Sequence, residues 1–319
     1  MNNGIYIRGV LPLLATAIIW GGMFPVATSV LRVMDAFHLT LLRYGAAAGI
    51  FALILACTEG RAGFRFEGKG TSALVFGTMG FAGFSLLVFG GLAHSGSEHA
   101  AVIMATMPML TAALNWAIRG VRPAAVTMSA IALAFAGVLL VVSKGNPAFL
   151  DSGTLTGDAM ILAGALCWVG YTMGAAAFPG WSPVRYTTVT SLTGAAAIAI
   201  ATLGAIELGA AHTISAAAIA AVGWEIAYMI VLASVFAVLA WNSGMKVLGS
   251  SNGVLFINFV PVTAFAIGYF QGHALLRSEI AGAVMVMLAL ILNNLLPRLR
   301  QHRSQHAGSL LSTAGQGCR

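Results

Sequence analysis

The chain of 319 residues is 59% hydrophobic and only 8% charged, with a mean hydropathy of +0.91. A soluble domain normally carries about 25% charged residues to solvate its surface, so a water-facing globule is excluded and lipid is the outer solvent. The net charge of +7 does not indicate nucleic acid, because the basic residues are scattered singly through short loops instead of forming a stripe.

The apolar runs are long, continuous and rich in Ala, Leu, Val and Gly, which reads as helices and not as the short alternating segments of a membrane barrel. A crossing takes roughly 20 apolar residues. On that measure the spans in chain order are Leu11–Leu31, Leu39–Cys57, Ser72–Leu92, Ala100–Ile118 and Ala124–Val142, then Asp158–Phe178, Thr187–Ile206, Ile226–Gly244, Val254–Tyr269 and Ile280–Leu296. The first run, with Arg8 before it, imitates a signal peptide, but equally apolar runs follow and an uncleaved span is the better reading. Ile214–Trp224 is apolar but short, and is expected to lie at the interface.

The loops test the count. With the N-terminus inside, Arg8, Arg61, Arg65, Lys69, Arg119, Arg122, Arg185, Lys246, Arg298, Arg300, Arg303 and Arg319 are cytoplasmic, against only Arg32, Lys144 and Arg277 outside. This is the asymmetry that the positive-inside rule requires. The expected fold is all-α, with ten transmembrane helices and both ends in the cytoplasm. Residues 298–319 read as a basic inner-face anchor that passes into a disordered tail.

The chain also resembles itself. Ala15-Thr-Ala-Ile-Ile-Trp20-Gly-Gly in span one matches Ala163-Gly-Ala-Leu-Cys-Trp168-Val-Gly in span six, an offset of 148. Gly96-Ser97 and Pro108 around span four match Gly249-Ser250 and Pro261 around span nine, the prolines at an offset of 153. Two repeats, 1–153 and 154–297, would each hold five spans. That odd number inverts the second, as in secondary transporters with a substrate site between their halves.

Trp20-Gly21-Gly22, Leu42-Arg43-Tyr44, the run into Pro108, Trp168, Ala240-Trp241-Asn242 and Phe256-Ile-Asn258-Phe-Val-Pro261 together resemble the EamA family of the drug/metabolite transporter superfamily, over about Leu11 to Leu296. Many members carry Gly-Glu just after spans four and nine; this chain has Arg119-Gly120 and Gln271-Gly272 there. The Ala-Trp-Asn motif and the aromatic candidates look most like YddG-type aromatic amino acid exporters. That resemblance implies export of amino acids and similar zwitterions through a bacterial inner membrane, with no cofactor.

Trp20 and Trp168 lie mid-span, away from the interfacial belts where Trp collects, with Phe24 and Tyr171 one turn beyond them. Met104, Trp241, Asn242 and Asn258 complete the expected substrate cavity, apolar with a few oriented polar groups. The competing reading is plain helix packing. Arg43, near the outer end of span two, could snorkel to the interface, pair with Asp35 or Glu98, or attract a substrate carboxylate. Glu98 reads as a first-turn acid that complements the helix dipole, and His94 and His99 as candidate proton carriers near the outer face. No Asp or Glu lies at the centre of a span, so coupling through a buried acid is not expected. Pro108 and Pro261 read as paired hinges or as tolerated kinks.

Other classes fit less well. Cys57, Cys167 and Cys318 form no metal or disulfide pattern. Gly249-Ser-Ser251-Asn-Gly253 joins two membrane helices and is no nucleophile elbow. Gly63 to Gly68-Lys69 lacks the Ser or Thr of a phosphate-binding loop. A channel or scaffold would lack the duplicated halves, which favour a monomeric carrier. Nucleotide-sugar carriers share the plan, but their phosphates call for several basic residues at depth, and only Arg43 is available. Labelling of tags at both termini is expected to reach them from the same side of the membrane; labelling from opposite sides would refute the ten-span reading.

Overall fold

The computed structural model describes residues 3–120, 122–143, 145–146, 154–211, 214–249, 253–272, 276–289 and 291–292. The expected basic tail, 298–319, lies outside them. Among the described residues there is no strand. The helices are α1 Asn3–Val30, α2 Ala36–Thr58, α3 Gly70–Leu92, α4 Ser97–Ala105, α5 Met107–Arg119 and α6 Ala125–Ser143. They continue with α7 Leu155–Ala177, α8 Pro183–Glu207, the short α9 Ala216–Ala221, α10 Gly223–Leu248, α11 Phe259–Phe270 and α12 over 277–289.

Six helices, α1, α2, α3, α7, α8 and α10, are each long and apolar enough to cross a membrane unaided. A seventh crossing forms if α4 and α5 are joined across their 45° bend, while α6 and α11 are apolar but shorter. The chain is therefore a multi-pass membrane protein. Helix starts follow local chemistry: Asp35 accepts the His38 N–H at 2.9 Å, and Ser182 accepts that of Arg185 at 3.0 Å with Pro183 as first helical residue.

Two features recur in both halves. A π-helical stretch interrupts α3 at Thr78–Gly83 and α10 at Tyr228–Phe236. Each expected hinge proline begins a new helix instead of kinking one. Pro108 is the second residue of α5, after the break at Thr106, and Pro261 is the third residue of α11, after a 3-10 turn over Val254–Asn258. Proline in a first turn forfeits no helical hydrogen bond, because that N–H has no intrahelical partner in any case. The mid-span loss expected from the sequence therefore does not arise.

Packing repeats in the same way. α1 lies on α10 and α11, as α7 lies on α3, α4 and α5; α2 pairs with α8, and α4 with α11. α6 meets α12 through Gly137 and Gly282, where a Cβ on Gly282 would stand 2.4 Å from the Gly137 carbonyl oxygen. Exchanging the two halves leaves this scheme unchanged. Because lipid is as apolar as leucine, such contacts rest on close packing and buried polar bonds, not on hydrophobic exclusion. Large apolar residues such as Leu53, Ile200 and Leu203 accordingly remain on the outside.

Gly282→Leu is expected to cost about 1–3 kcal/mol through overpacking of the α6–α12 crossing. Gly49→Leu, where an added Cβ meets nothing within 4 Å, should be nearly neutral. Thermal unfolding in detergent compares the two.

Candidate functional site

α1, α7 and α10 converge at mid-length on three indoles. Trp20 meets Trp168 edge-on at 5.3 Å between centroids and Trp241 at 5.2 Å. Trp168 continues the cluster to Phe84 and Tyr171, each at 5.0 Å. Trp20 Nε1 donates to the carbonyl of Ala233 at 3.0 Å. Ala233 lies in the π-helical stretch of α10, where looser winding lets a backbone carbonyl take side-chain donors. Asn242, six residues past the end of that stretch, donates from Nδ2 to Tyr171 Oη at 3.0 Å and to Thr187 Oγ1 at 2.7 Å. Tyr186 stacks on Tyr171 at 5.1 Å and donates its hydroxyl to the Tyr171 carbonyl at 2.7 Å. Helices α7, α8 and α10 are thereby tied together by buried polar groups.

A cavity of about 500 Å³ opens at the end of the bundle that carries Lys246 and the turn Phe178–Ser182. Thr172 and Asn242 reach into its inner part, with Met173, Tyr186 and Asn115 along the walls. Thr172, Met173 and Met245 are shared with a small void of about 10 Å³ bounded by Trp168, Trp241 and Met107. Met107 and Trp168 in turn border a third void of about 20 Å³, enclosed by Trp20, Phe24, Phe84 and Met104. The spaces form a series that narrows to the indole layer. Along it, Thr172 Oγ1, Trp168 Nε1 and Trp241 Nε1 are buried with no hydrogen-bond partner among the described residues. A buried polar group left in this way costs about 1–3 kcal/mol. Three such donors lie along this one route.

The mouth is braced. Glu67 accepts from Trp181 Nε1 at 2.9 Å and pairs with Arg185 at 2.9 Å, and Arg185 also covers the Trp181 ring. Ser182 donates to Glu59, and Lys69 donates to the Ala177 carbonyl. The bond from Trp181, followed by that from Arg185, holds the Glu67 carboxyl below its ordinary range. A depressed carboxylate keeps its partners above that value and loses them only as pH falls through it. The brace thus persists at neutral and mildly acidic pH, though at this exposed site solvent screens its strength.

The structure brings Trp20, Phe24, Met104, Trp168, Tyr171, Trp241 and Asn242 into this one region. The side chain of Asn258 lies outside the described residues. Pro108 and Pro261 sit at the helix breaks described above. Thr172, Tyr186, Thr187, Phe84 and Ala233 join the site without any local sequence signal.

Arg43 corrects one expectation, and Asp158 adds a residue that the sequence reading left aside. Arg43 does not reach the interface: it lies two turns into α2, 1% exposed, donating to Ser234 Oγ at 2.5 Å and to the Ala233 carbonyl at 3.3 Å. Asp35 is occupied by His38 at 2.8 Å, and the Glu98 side chain lies outside the described residues. The far end of the bundle holds a buried acid, away from the centre of any span. Asp158, only 5% exposed in the first turn of α7, accepts from Ser95 Oγ at 2.5 Å and lies 3.2 Å from Nδ1 of His99, which is 3% exposed. The close crossing of Gly91 and Gly157, where an added Cβ would stand 2.4–2.5 Å from the opposing carbonyl oxygen, places Asp158 under that turn. The sequence signal was the helix start at Asp158, which ordinarily faces water; here the other half of the chain covers it.

The model of the EamA-like transporter family matches residues 7–143 and again 155–295. The chain is 37% identical over 308 residues to a protein of Bacillus subtilis named uncharacterized transporter YrdR, covering 95% of this chain and 96% of that one. It is 29% identical over 301 residues to uncharacterized transporter YyaM of the same organism, covering 93% and 97%. A solved crystal structure of a protein with 18% identity superposes with a TM-score of 0.66, over 93% of this chain and 99% of the other, which supports the fold.

In a background with Cys57, Cys167 and Cys318 replaced, Ala176→Cys at the cavity is expected to react rapidly with a membrane-impermeant maleimide. Ala101→Cys, buried near His99, should react far more slowly. Equal rates would show that the route is not open at one end only.

Proposed function

Because the chain belongs to the EamA-like transporter family, we propose that it is a secondary transporter exporting small metabolites, neutral and aromatic amino acids foremost, across a bacterial cytoplasmic membrane. In this reading the repeats, 1–153 and 154–297, contribute five spans each in opposite senses, with both chain ends in the cytoplasm. The protein works as a monomer by alternating access.

One observation carries the substrate class: a cavity of about 500 Å³ that narrows to a layer of indoles along which three buried donors have no protein partner. Aromatic walls suit a ring or branched side chain, and the unpartnered donors suit carbonyl or carboxylate oxygens. Charge supports the direction. Lys246, Lys69, Arg65 and Arg185 cluster at the open end, which the positive-inside rule assigns to the cytoplasm. An exporter loads from that side. A nucleotide-sugar carrier would need several cations at depth to meet two phosphates. Among the described residues only Arg43 is a buried Lys or Arg there.

Motion follows from the paired construction. The indole layer must part and the mouth must close, and the helix restarts at Pro108 and Pro261 stand where the two halves can pivot. The bond between Trp20 and Ala233 and those from Asn242 join the moving elements.

Proteoliposomes are expected to exchange radiolabelled phenylalanine or tryptophan for unlabelled aromatic amino acid, with saturation and acceleration by counter-substrate. Transport confined to phosphorylated or dicationic compounds would overturn the substrate class, and flux linear in concentration would favour a pore. Trp168→Ala should lower exchange about tenfold or more while folded yield stays near normal, since an aromatic wall and a donor are lost together. Equal loss of yield and exchange would assign Trp168 to packing.

A further inference from the structure

We propose that Arg43 is the binding site for the substrate's carboxylate, so that this protein selects substrates bearing an anionic head and discriminates against amines that lack one. The proposal rests on the transport reading above and specifies its chemistry.

The argument starts from cost. A guanidinium at membrane depth is expensive unless it is paired, and arginine stays charged. Arg43 is 1% exposed, and its described partners are all neutral: the Ser234 hydroxyl, the Ala233 carbonyl, and the faces of Tyr44 at 4.6 Å and Phe89 at 5.3 Å. Nη1 is buried and has no hydrogen-bond partner among the described residues. No carboxylate pairs with it among the described residues. A packing role would be met by an apolar side chain without this cost. The site therefore holds a cation with spare donor capacity, arranged to accept an anion.

Its position fits a carrier. The carbonyl of Ala233 takes both Arg43 Nη2 and Trp20 Nε1, so the guanidinium lies one shared acceptor away from an indole that walls the innermost void. Arg43 stands nearer the closed end of the bundle than that layer. A ligand that has entered from the open mouth meets it when the indoles part. Its carboxylate would take Nη1 in the bidentate or single-point fashion that guanidinium favours, while its ring remains among Trp20, Phe24 and Phe84.

The test uses purified full-length protein in proteoliposomes and competition against phenylalanine exchange. 3-Phenylpropanoate, which keeps the carboxylate and lacks the amine, should compete. Phenethylamine, which keeps the amine and lacks the carboxylate, should compete at least about tenfold more weakly. Arg43→Gln should remove most of that difference, and Arg43→Lys should keep part of it. Ser234→Ala, which frees Nε while retaining the charge, should preserve the preference for carboxylates. The wild-type comparison stands even if Arg43→Gln fails to fold. Equal competition by phenethylamine overturns the proposal. So does a Glu98→Gln variant that reproduces the Arg43→Gln loss, because the cation would then have an internal partner. If aromatic amino acids are not exchanged at all, the preceding reading fails; a true substrate found without an anionic group overturns this proposal as well.

Discussion

In hydrocarbon a polar group must find its partner inside the protein, and that constraint organises this molecule. Helices in lipid gain little from excluding apolar surface, so they are joined by close glycine crossings and by buried bonds with few substitutes. The bond from Trp20 to Ala233 and those from Asn242 to Tyr171 and Thr187 each join different helices, and that from Ser95 ties a turn to Asp158 on α7. Against that background an unsatisfied donor is conspicuous. Several of them lie along the narrowing cavity, and one belongs to the buried arginine beside it. On the transport reading proposed above, satisfied groups hold the bundle together, while those along the cavity are left for the substrate.

Duplication explains why the arrangement is economical. Helix breaks beginning with Pro108 and Pro261, and π-helical stretches at Thr78–Gly83 and Tyr228–Phe236, fall at matching places in the two halves. The halves have nonetheless diverged chemically. The stretch in α10 offers Ala233 and Ser234 to Arg43 and Trp20, whereas the stretch in α3 carries Gly80 against the Tyr171 ring and Phe81 between Tyr44 and Tyr171. One copy supplies polar acceptors and the other supplies aromatic packing.

Much of this was legible in residue order. Apolar length locates the six long crossings because lipid imposes it directly, and mid-helix tryptophan is conspicuous because indoles prefer the interface. Arg43 stands out as a lone charge in a span. What could not be read was which side chains meet. A free carbonyl in a π-helical stretch leaves no residue-type signature, so Ala233 was invisible. Asp158 occupies a first turn, a place that normally faces water, and only the crossing of Gly91 with Gly157 reveals that it is covered. Pro108 and Pro261 looked like kinks because a helix restart and a mid-helix bend share the same residue.

That last distinction bears on turnover. At each restart the α-helical ladder gives way to a 3-10 bond, from Thr106 to Ile103 and from Phe259 to Phe256, so the angle there is held by shorter, poorer bonds than inside a continuous helix. On the transport reading proposed above, the slow event is then the unpacking of three large rings from one another, with the joints adding less to the barrier.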